Sequence, residues 1–504
     1  MQRTARVCAV ITEETTAGAL RALQESARVA DLAEIRLDYL RDFDFGEPRN
    51  LSVFLERQPL PVIITCRDVD EGGHQALDND LRLRLLAEAS RTADYSDVEA
   101  VHYARLIELG ADTSRLIVSY HNFKETPADL DSIYDRLVSF PAAIHKIATL
   151  AQHASDCLAH FKLLERAQRE RRDLIAIAMG HRGIISRLLG PSRGSFLTYG
   201  SFGREKESAA GQLTCREMTR RYRIRDLSTK TRMVGIIGRP VAHSASPAMH
   251  NAAFAETGLD FVYVPFEVDD VNEFVRRMIL VSTTESGLDF RGLSVTIPHK
   301  SAILNLVDEL DPIASAVGAV NTLVIDHGKL HGYNTDVRGM LAPLAEVLSI
   351  EDHSFAVIGA GGAARAVICG LKSRGARVEV FARDPARASG IAGDFDVKIK
   401  RLDDLHKSEA TVLINATPVG MHGHSEGVSP VSPDVFEGRI AAYDLIYNPA
   451  ETQFLKDARE RGCLTLSGME MLVTQAAAQF ELWTGRSAPV EAMRKACLEY
   501  LAES

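Results

Sequence analysis

Two lysines in this chain stand where a lysine needs a chemical reason. Lys146 lies in Ile144-His145-Lys146-Ile147-Ala148, an otherwise apolar run of β type. An ammonium there is costly to desolvate unless it is paired. Burial favours the neutral amine, which can add to a ketone and lose water to give a Schiff base. The resulting iminium draws electrons from the adjacent carbon and eases removal of its proton. His121, in Ser119-Tyr120-His121, offers an imidazole able to move that proton near neutral pH. The plainer alternative is a lysine reaching out beside a carboxylate such as Glu99, with a structural histidine. The second lysine is Lys300, in Val295-Thr296-Ile297-Pro298-His299-Lys300. It pairs naturally with Asp336, in Gly332-Tyr333-Asn334-Thr335-Asp336. Each stabilises the other's charge, and the lysine can deliver a proton to a developing alkoxide. Here the alternative is a surface salt bridge among ordinary turn residues.

These groups need elements to hold them. The first ~225 residues show eight short apolar runs separated by helix-like stretches. They cover 6–12, 33–37, 61–67, 95–100, 116–121, 143–149, 174–179 and 196–199. Eight β-then-α units of this length predict a closed parallel (β/α)8 barrel, with an open doubly wound sheet as the alternative. Barrel sites are built at the carboxyl ends of strands. Polar residues cluster at those ends: Glu34 and Arg36 on the second run, Arg67 ending the third, Asp97 and Glu99 on the fourth. His121 follows the fifth, Lys146 lies inside the sixth and Arg187 follows the seventh.

Segment 220–232 is dense in charge and poor in large apolar residues, so 223–232 reads as a linker after a domain 1–222. A fresh α/β start follows at Met233, with a substrate-binding lobe expected over 233–336 and a Rossmann lobe over 337–475. Residues 476–504 are expected to return as helices to the earlier lobe. In the Rossmann lobe, Gly359-Ala360-Gly361-Gly362-Ala363-Ala364 follows the apolar run 355–358 and opens a helical stretch. That setting suits a pyrophosphate, because glycines allow close backbone approach and a helix N-terminus favours anions. Past the next strand, Ala382-Arg383-Asp384-Pro385-Ala386-Arg387 carries two arginines suited to a ribose 2′-phosphate, which favours NADP over NAD. Ser244, Ser246, Thr296, Asn321, Tyr447 and Gln475 add hydroxyls and amides fit for a polyhydroxylated acid.

Composition narrows the field. With 504 residues, 46% hydrophobic and 25% charged, the chain has the balance of a globular protein of more than one domain. A net charge of -10 supplies no basic field for nucleic acid. No run approaches the ~20 apolar residues of a membrane helix. Seven scattered cysteines without a CxxC pair suggest reduced thiols in the cytoplasm, and the N-terminal stretch resembles neither a secretory signal nor a transit segment. No ligand cluster suggests a metal.

Taken together, Glu34-Ile-Arg-Leu-Asp38, Thr65-Cys-Arg67, Glu71-Gly-Gly, Asp97-Val-Glu99, Ser119-Tyr-His121 and His145-Lys-Ile-Ala resemble the Schiff-base (type I) 3-dehydroquinate dehydratases across residues 5–215. The resemblance implies an imine at Lys146, general acid/base work by His121 and a carboxylate clamp at Arg187. It implies that Glu34, Arg36 and Arg67 bind hydroxyls and order the site, beside carboxylates Glu71 and Glu99. Ser208-Ala-Ala-Gly-Gln212 resembles that family's substrate loop, with Ala210 where the family has proline. The motifs of residues 233–500 resemble shikimate dehydrogenase. That likeness implies a carboxylate site at Ser244 and Ser246, and substrate contacts from Thr296, Asn321, Tyr447 and Gln475. It makes Lys300 and Asp336 the catalytic pair, and assigns Gly359, Ala360, Gly361, Gly362, Ala363, Arg383, Arg387 and Gly468 to the cofactor. The implied substrates are 3-dehydroquinate, 3-dehydroshikimate and shikimate, converted in sequence. A quinate-using dehydrogenase, a non-catalytic metabolite sensor on the same domains and an imine-forming aldolase are the competing functions.

Overall fold

The computed structural model describes residues 4–56, 58–203, 211–280, 287–386 and 388–503. All eight expected runs become strands: β1 Val7–Ile11, β2 Leu32–Arg36, β3 Val62–Thr65, β4 Tyr95–Glu99, β5 Leu116–Asn122, β6 Ile144–Leu150, β7 Leu174–Met179 and β8 Thr198–Ser201. They form one sheet in the order β7-β6-β5-β4-β3-β2-β1-β8. A parallel bridge between Leu174 and Ser195, with the Phe196 N–H donating to the Leu174 carbonyl at 2.8 Å, brings the β7 edge to the entry of β8. This closure favours the barrel over the open sheet. Two positions differ from expectation: His121 lies inside β5, and Arg67 lies two residues beyond β3. Arg187 follows β7, on the helix Ile184–Leu189.

Side chains two residues apart on a strand share a face, and this alternation layers the barrel. Cys8, Leu32, Ile63, Ile117, Ile144 and Ile175 pack as an apolar floor. Two residues further along their strands stand Glu34, Thr65, Ser119 and Lys146, and two beyond these Arg36, Arg67 and His121. The register pairs Lys146 with Ser119, Ser119 with Glu99, and Asp97 with Thr65. The same period that buries isoleucines at one end therefore delivers charges to the other.

Within the segment expected as a linker, Ile224 and Leu227 are buried while Arg225 turns outward to Asp31, 3.0 Å away. By compactness the chain forms two units: Met1–Met233 with Pro240–Ala242 and Asp260–Phe290, and Val234–Arg239 with His243–Leu259 and Arg291–Ser504.

A second sheet holds β9 Arg232–Gly238, β10 Phe261–Glu267, β11 Asp289–Val295, β12 Glu309–Leu310, β13 Thr322–Asp326 and β14 Lys329–Tyr333. Its order is β10-β9-β11-β13-β14-β12, with β11, β13 and β14 antiparallel. A third is wholly parallel: β15 Ser354–Ile358, β16 Arg377–Ala382, β17 Lys398–Arg401, β18 Val412–Asn415, β19 Ala441–Asp444 and β20 Leu464–Leu466. Its order, β17-β16-β15-β18-β19-β20, reverses direction between β15 and β18. Phe355, Val357, Val412 and Ile414 feed one core, while Ala356, Ile358 and Leu413 feed another. Both faces are covered, so these strands read as unbroken apolar runs. Ligands bind at the carboxyl ends beside such a reversal. The helix Val490–Glu503 packs on the helix Ser246–Thr257.

Gly292 on β11 shows how tightly this second unit closes. A Cβ there would lie 2.0 Å from Trp483 Nε1, which donates to the Leu323 carbonyl at 2.9 Å. Gly292→Ala is expected to cost about 1–3 kcal/mol by overpacking. Trp483 is the single tryptophan, so its emission should shift red as the ring loses that bond. An unchanged melting temperature and spectrum would refute this packing.

Candidate functional site

Burial turns the barrel mouth into a closed electrostatic problem. Lys146 is 6% exposed, and its Nζ donates to Asp97 Oδ2 at 2.9 Å, with Glu34 Oε1 at 3.8 Å. The expected lysine partner Glu99 is elsewhere engaged. Glu99 Oε1 accepts from Arg67 at 3.0 Å, and Oε2 accepts from Arg82 at 2.8 Å. Backbone register alone sets Glu99 level with Ser119 and Lys146, so it is the two arginines on Glu99 that leave Asp97 to the lysine. Glu99 lies one layer higher than Asp97, level with the arginine ends. Arg67 also bridges to Asp97 at 2.9 Å and donates to Ser119 Oγ, which in turn donates to Asp97 Oδ1 at 2.7 Å. Burial alone would raise Asp97, but Arg67 and Lys146 hold it well below the usual carboxylate range. The lysine amine is thereby aimed and its positive charge satisfied.

Beside it, Glu71 Oε2 receives both the backbone N–H of His121 and sits 2.9 Å from His121 Nδ1. Burial, then the neighbouring Arg67 and Lys146, push the imidazole well below its ordinary value and keep it neutral. Burial pushes Glu71 up to about 7. The histidine's other nitrogen, Nε2, is the one left for a ligand. Arg36 is locked in a fork onto Asp38, at 2.9 and 2.7 Å. Thr65 donates to Glu34 at 2.9 Å, fixing that carboxylate.

One cavity is lined by Glu34, Arg36, Arg67, Glu71, His121, Lys146, Arg187 and Gln212. The cavity thus gathers the expected barrel residues except Asp97 and Glu99, which brace its wall from behind, and Ser208 and Ala210, which lie outside the described residues. Sequence reasoning missed Asp97 as the direct partner of Lys146, and it missed Arg82 and Ser119. Asp97 was legible as the residue two before Glu99 on the same strand face. Arg82, on the helix Asn79–Thr92, carried no such signal.

A second cavity lies within the second unit, lined by Ser244, Ser246, Thr296, Lys300, Asn321, Asp336, Tyr447, Gly468 and Gln475. Lys300 Nζ donates to Asp336 Oδ2 at 2.6 Å. Asn321 Nδ2 donates to Asp336 Oδ1 at 2.7 Å, so both carboxylate oxygens are held. Asn321 is itself oriented, because its Oδ1 accepts from the Thr335 N–H at 2.8 Å and from Thr322 Oγ1 at 2.7 Å. Burial pushes the Tyr447 phenol up to about 12, which keeps it a donor. Ser294 and Gln479 also line this cavity, joined by a 2.8 Å bond, and were not anticipated. Both lie on predicted cavity elements, but a serine and a glutamine are too common to stand out.

The glycine-rich turn fits a dinucleotide. Gly359 adopts φ +110°, and a Cβ there would meet Thr417 and Ala416 at 2.9 and 3.1 Å. Around Gly361 and Gly362 a Cβ would meet nothing within 4 Å. The helix Gly362–Ser373 opens with no side-chain cap, so its first N–H groups face an open approach. Ala360 and Ala363 lie in the same turn. Arg383 is exposed just past β16, while Arg387 lies outside the described residues. Gly468 admits no side chain, since a Cβ would stand 2.3 Å from the Leu445 carbonyl.

Comparison with known proteins agrees with this geometry. Residues 7–229 match the type I 3-dehydroquinase family, 236–323 the shikimate dehydrogenase substrate binding domain, and 468–498 the shikimate 5′-dehydrogenase C-terminal domain. A chloroplastic bifunctional 3-dehydroquinate dehydratase/shikimate dehydrogenase of Arabidopsis thaliana is 38% identical over 490 residues, 92% of this chain and 79% of its own. The NADP(+) shikimate dehydrogenase of Methanopyrus kandleri is 42% identical over 288 residues, 55% of this chain and 98% of its own. A solved shikimate dehydrogenase in complex with NADP+ is 38% identical, covers 54% of this chain and 96% of that one, and superposes with a TM-score of 0.50. With one cavity built around a barrel lysine and another around a lysine–aspartate pair, the chain belongs to the family of bifunctional 3-dehydroquinate dehydratase/shikimate dehydrogenases.

Proposed function

We propose that the barrel dehydrates 3-dehydroquinate through an imine at Lys146, and that the second unit reduces the product, 3-dehydroshikimate, to shikimate. The observation that carries this reading is the Lys146 amine held at the pocket wall beside a neutral His121. Neutral Nζ adds to the ketone carbon, and with one proton the carbonyl oxygen leaves as water, giving the iminium. His121 Nε2 takes a proton from the adjacent carbon, and the electron pair moves onto nitrogen as an enamine. The enamine expels the β-hydroxyl, protonated by the same histidine, as a second water. A water then releases the enone and the lysine. Arg187 holds the substrate carboxylate, while Glu34, Arg36, Arg67, Ser208 and Gln212 orient its hydroxyls.

In the second cavity, Ser244 and Ser246 take the carboxylate, and Thr296, Asn321, Tyr447 and Gln475 the ring hydroxyls. Lys300 delivers the proton to the carbonyl oxygen and regains one from solvent, the Asp336 carboxylate stabilising its charged form. Residues 359–363, Arg383, Arg387 and Gly468 would hold NADPH, which would supply the hydride when bound. The proposed working domains are a barrel 1–222, a linker 223–232, a substrate lobe 233–336, a nucleotide lobe 337–475 and returning helices 476–504, supported by the three sheets. Seven free cysteines, six of them buried, support a cytoplasmic setting. Among the described residues no helix is long and apolar enough to cross a membrane.

The two halves should be separable by mutation. Lys146→Ala is expected to lower dehydration roughly a thousandfold or more and spare shikimate oxidation. Lys300→Ala is expected to lower shikimate oxidation at least about a hundredfold and spare dehydration. Borohydride added with 3-dehydroquinate should leave a reduced adduct on Lys146, seen by peptide mass spectrometry. Its absence would refute the imine.

The Glu71–His121 contact also sets a pH dependence. Above about 7 the ionised Glu71 accepts Nδ1–H and leaves Nε2 as the base. Below that, the protonated carboxyl donates to Nδ1 and Nε2 carries the hydrogen instead. Dehydratase kcat should therefore rise as pH increases through this region, and Glu71→Gln should flatten the rise with about a tenfold loss. A rise of equal size in the variant would place its origin elsewhere.

A further inference from the structure

The chemistry assigned to Lys146 leaves one close neighbour unused. Tyr199, on β8, is 4% exposed and lines the barrel cavity. Lys146 Nζ stands over its ring, 4.5 Å from the centroid. Its hydroxyl is buried with no hydrogen-bond partner among the described residues. A buried hydroxyl left unpaired is destabilising, so its presence does not explain why this side chain occupies the pocket wall. The ring does, because the atom beneath it is the one that reacts.

We infer that Tyr199 is a further residue of the dehydratase, its ring face stabilising the positive charge that Lys146 carries first as ammonium and then as iminium; this rests on the imine reading above. The charge stays on the same nitrogen when Nζ gains a bond to the substrate carbon and the carbonyl oxygen departs as water. Asp97, 2.9 Å away on Nζ, depends on a hydrogen-bond donor, and the iminium keeps a single N–H where the ammonium had three. A π face needs no N–H. Its attraction to the cation therefore survives the change in hydrogen-bonding capacity. It also offers no basic atom to capture the iminium carbon or the proton in transit.

Four substitutions in the full chain test the ring against the hydroxyl. Tyr199→Phe keeps the π face and should hold dehydratase kcat within about twofold. Tyr199→Leu removes it and should lower kcat roughly 10- to 30-fold, with KM changed less than about threefold. The yield of borohydride-trapped Lys146 should fall in parallel, while shikimate oxidation by the second unit stays level. Replacing Tyr199 by tri- and then pentafluorophenylalanine weakens the quadrupole at nearly constant shape, which keeps the test valid should the leucine variant fold poorly. A graded loss of kcat and trapping across that series is expected. Wild-type kcat and trapping in the leucine and fluorinated variants would overturn the inference. So would a phenylalanine variant as slow as the leucine one, which would assign the effect to the hydroxyl. Absence of the Lys146 adduct in the unmodified protein would instead bring down the imine reading itself.

Discussion

The barrel depends on one constraint: a positive charge must be held inside a β-cylinder long enough to do chemistry there. Lys146, Arg36, Arg67 and Arg82 face Glu34, Asp38, Asp97 and Glu99, four cations against four anions, all under 9% exposed. None of these pairs is strongly stabilising on its own account, because desolvation offsets most of the attraction. Removing a member leaves a buried charge short of a partner, at a cost of up to about 3–5 kcal/mol where no other partner remains, as for Arg36 and Asp38. The set therefore stands as a unit. Its strictest member is Asp97, which touches Lys146, Arg67 and Ser119 at once. Placing the acid one layer below the arginine ends is what points Nζ at the pocket and not at the barrel wall.

The second unit solves a similar problem with fewer charges. Asp336 is 8% exposed and shares its oxygens between Lys300 and the Asn321 amide. Behind Asn321 stands a neutral chain, Thr322 to Gln479 to Ser294, in which the Gln479 amide donates to Thr322 Oγ1 at 3.0 Å and Ser294 donates back to Gln479. Dipoles of this kind orient a carboxylate without adding net charge, which suits a site that must also admit an anionic substrate. The helix Gly468–Thr484 contributes Gln475 and Gln479 to the cavity wall, one turn apart and so on one face. That spacing lets a single helix both line the cavity and brace its floor.

Much of this was legible in the residues because alternation and motif order are local properties. Eight apolar runs foresaw eight strands, and the charged or imidazole residues at the ends of the second to sixth runs foresaw the pocket. Glycines 359, 361 and 362 foresaw a turn open to close approach, and Gly359 takes the positive φ within it. What escaped were relations between side chains on distant elements. Whether Lys146 met Asp97 or Glu99 turned on which carboxylate Arg67 and Arg82 occupy, a fact no single strand contains. Arg82 escaped for another reason. On an amphipathic helix an arginine normally lies on the wet side, and only the buried Glu99 on a neighbouring strand makes the inward direction favourable. In the 223–232 segment charges outnumber apolar residues, so its buried contacts through Ile224 and Leu227 were not legible from composition.

The two cavities also differ in how their lysines are kept reactive, and the difference follows from the reactions. A proton donor must be charged when its partner develops negative charge, so Lys300 is served by a carboxylate in direct contact and by part exposure, 24% of its side chain. A nucleophilic amine must lose its proton, react, and regain a positive charge as an iminium, all at one nitrogen. Hydrogen-bond acceptors alone serve the first and last of these states unequally, because the number of N–H groups falls from three to one. An environment that responds to charge and not to N–H count is therefore wanted on at least one side of the nitrogen. At Lys146 the acceptor side is Asp97, with Glu34 3.8 Å off, and the remaining close side is the face of an aromatic ring. Lys300, whose charge changes without any change in bonding to carbon, has no such ring among the described contacts.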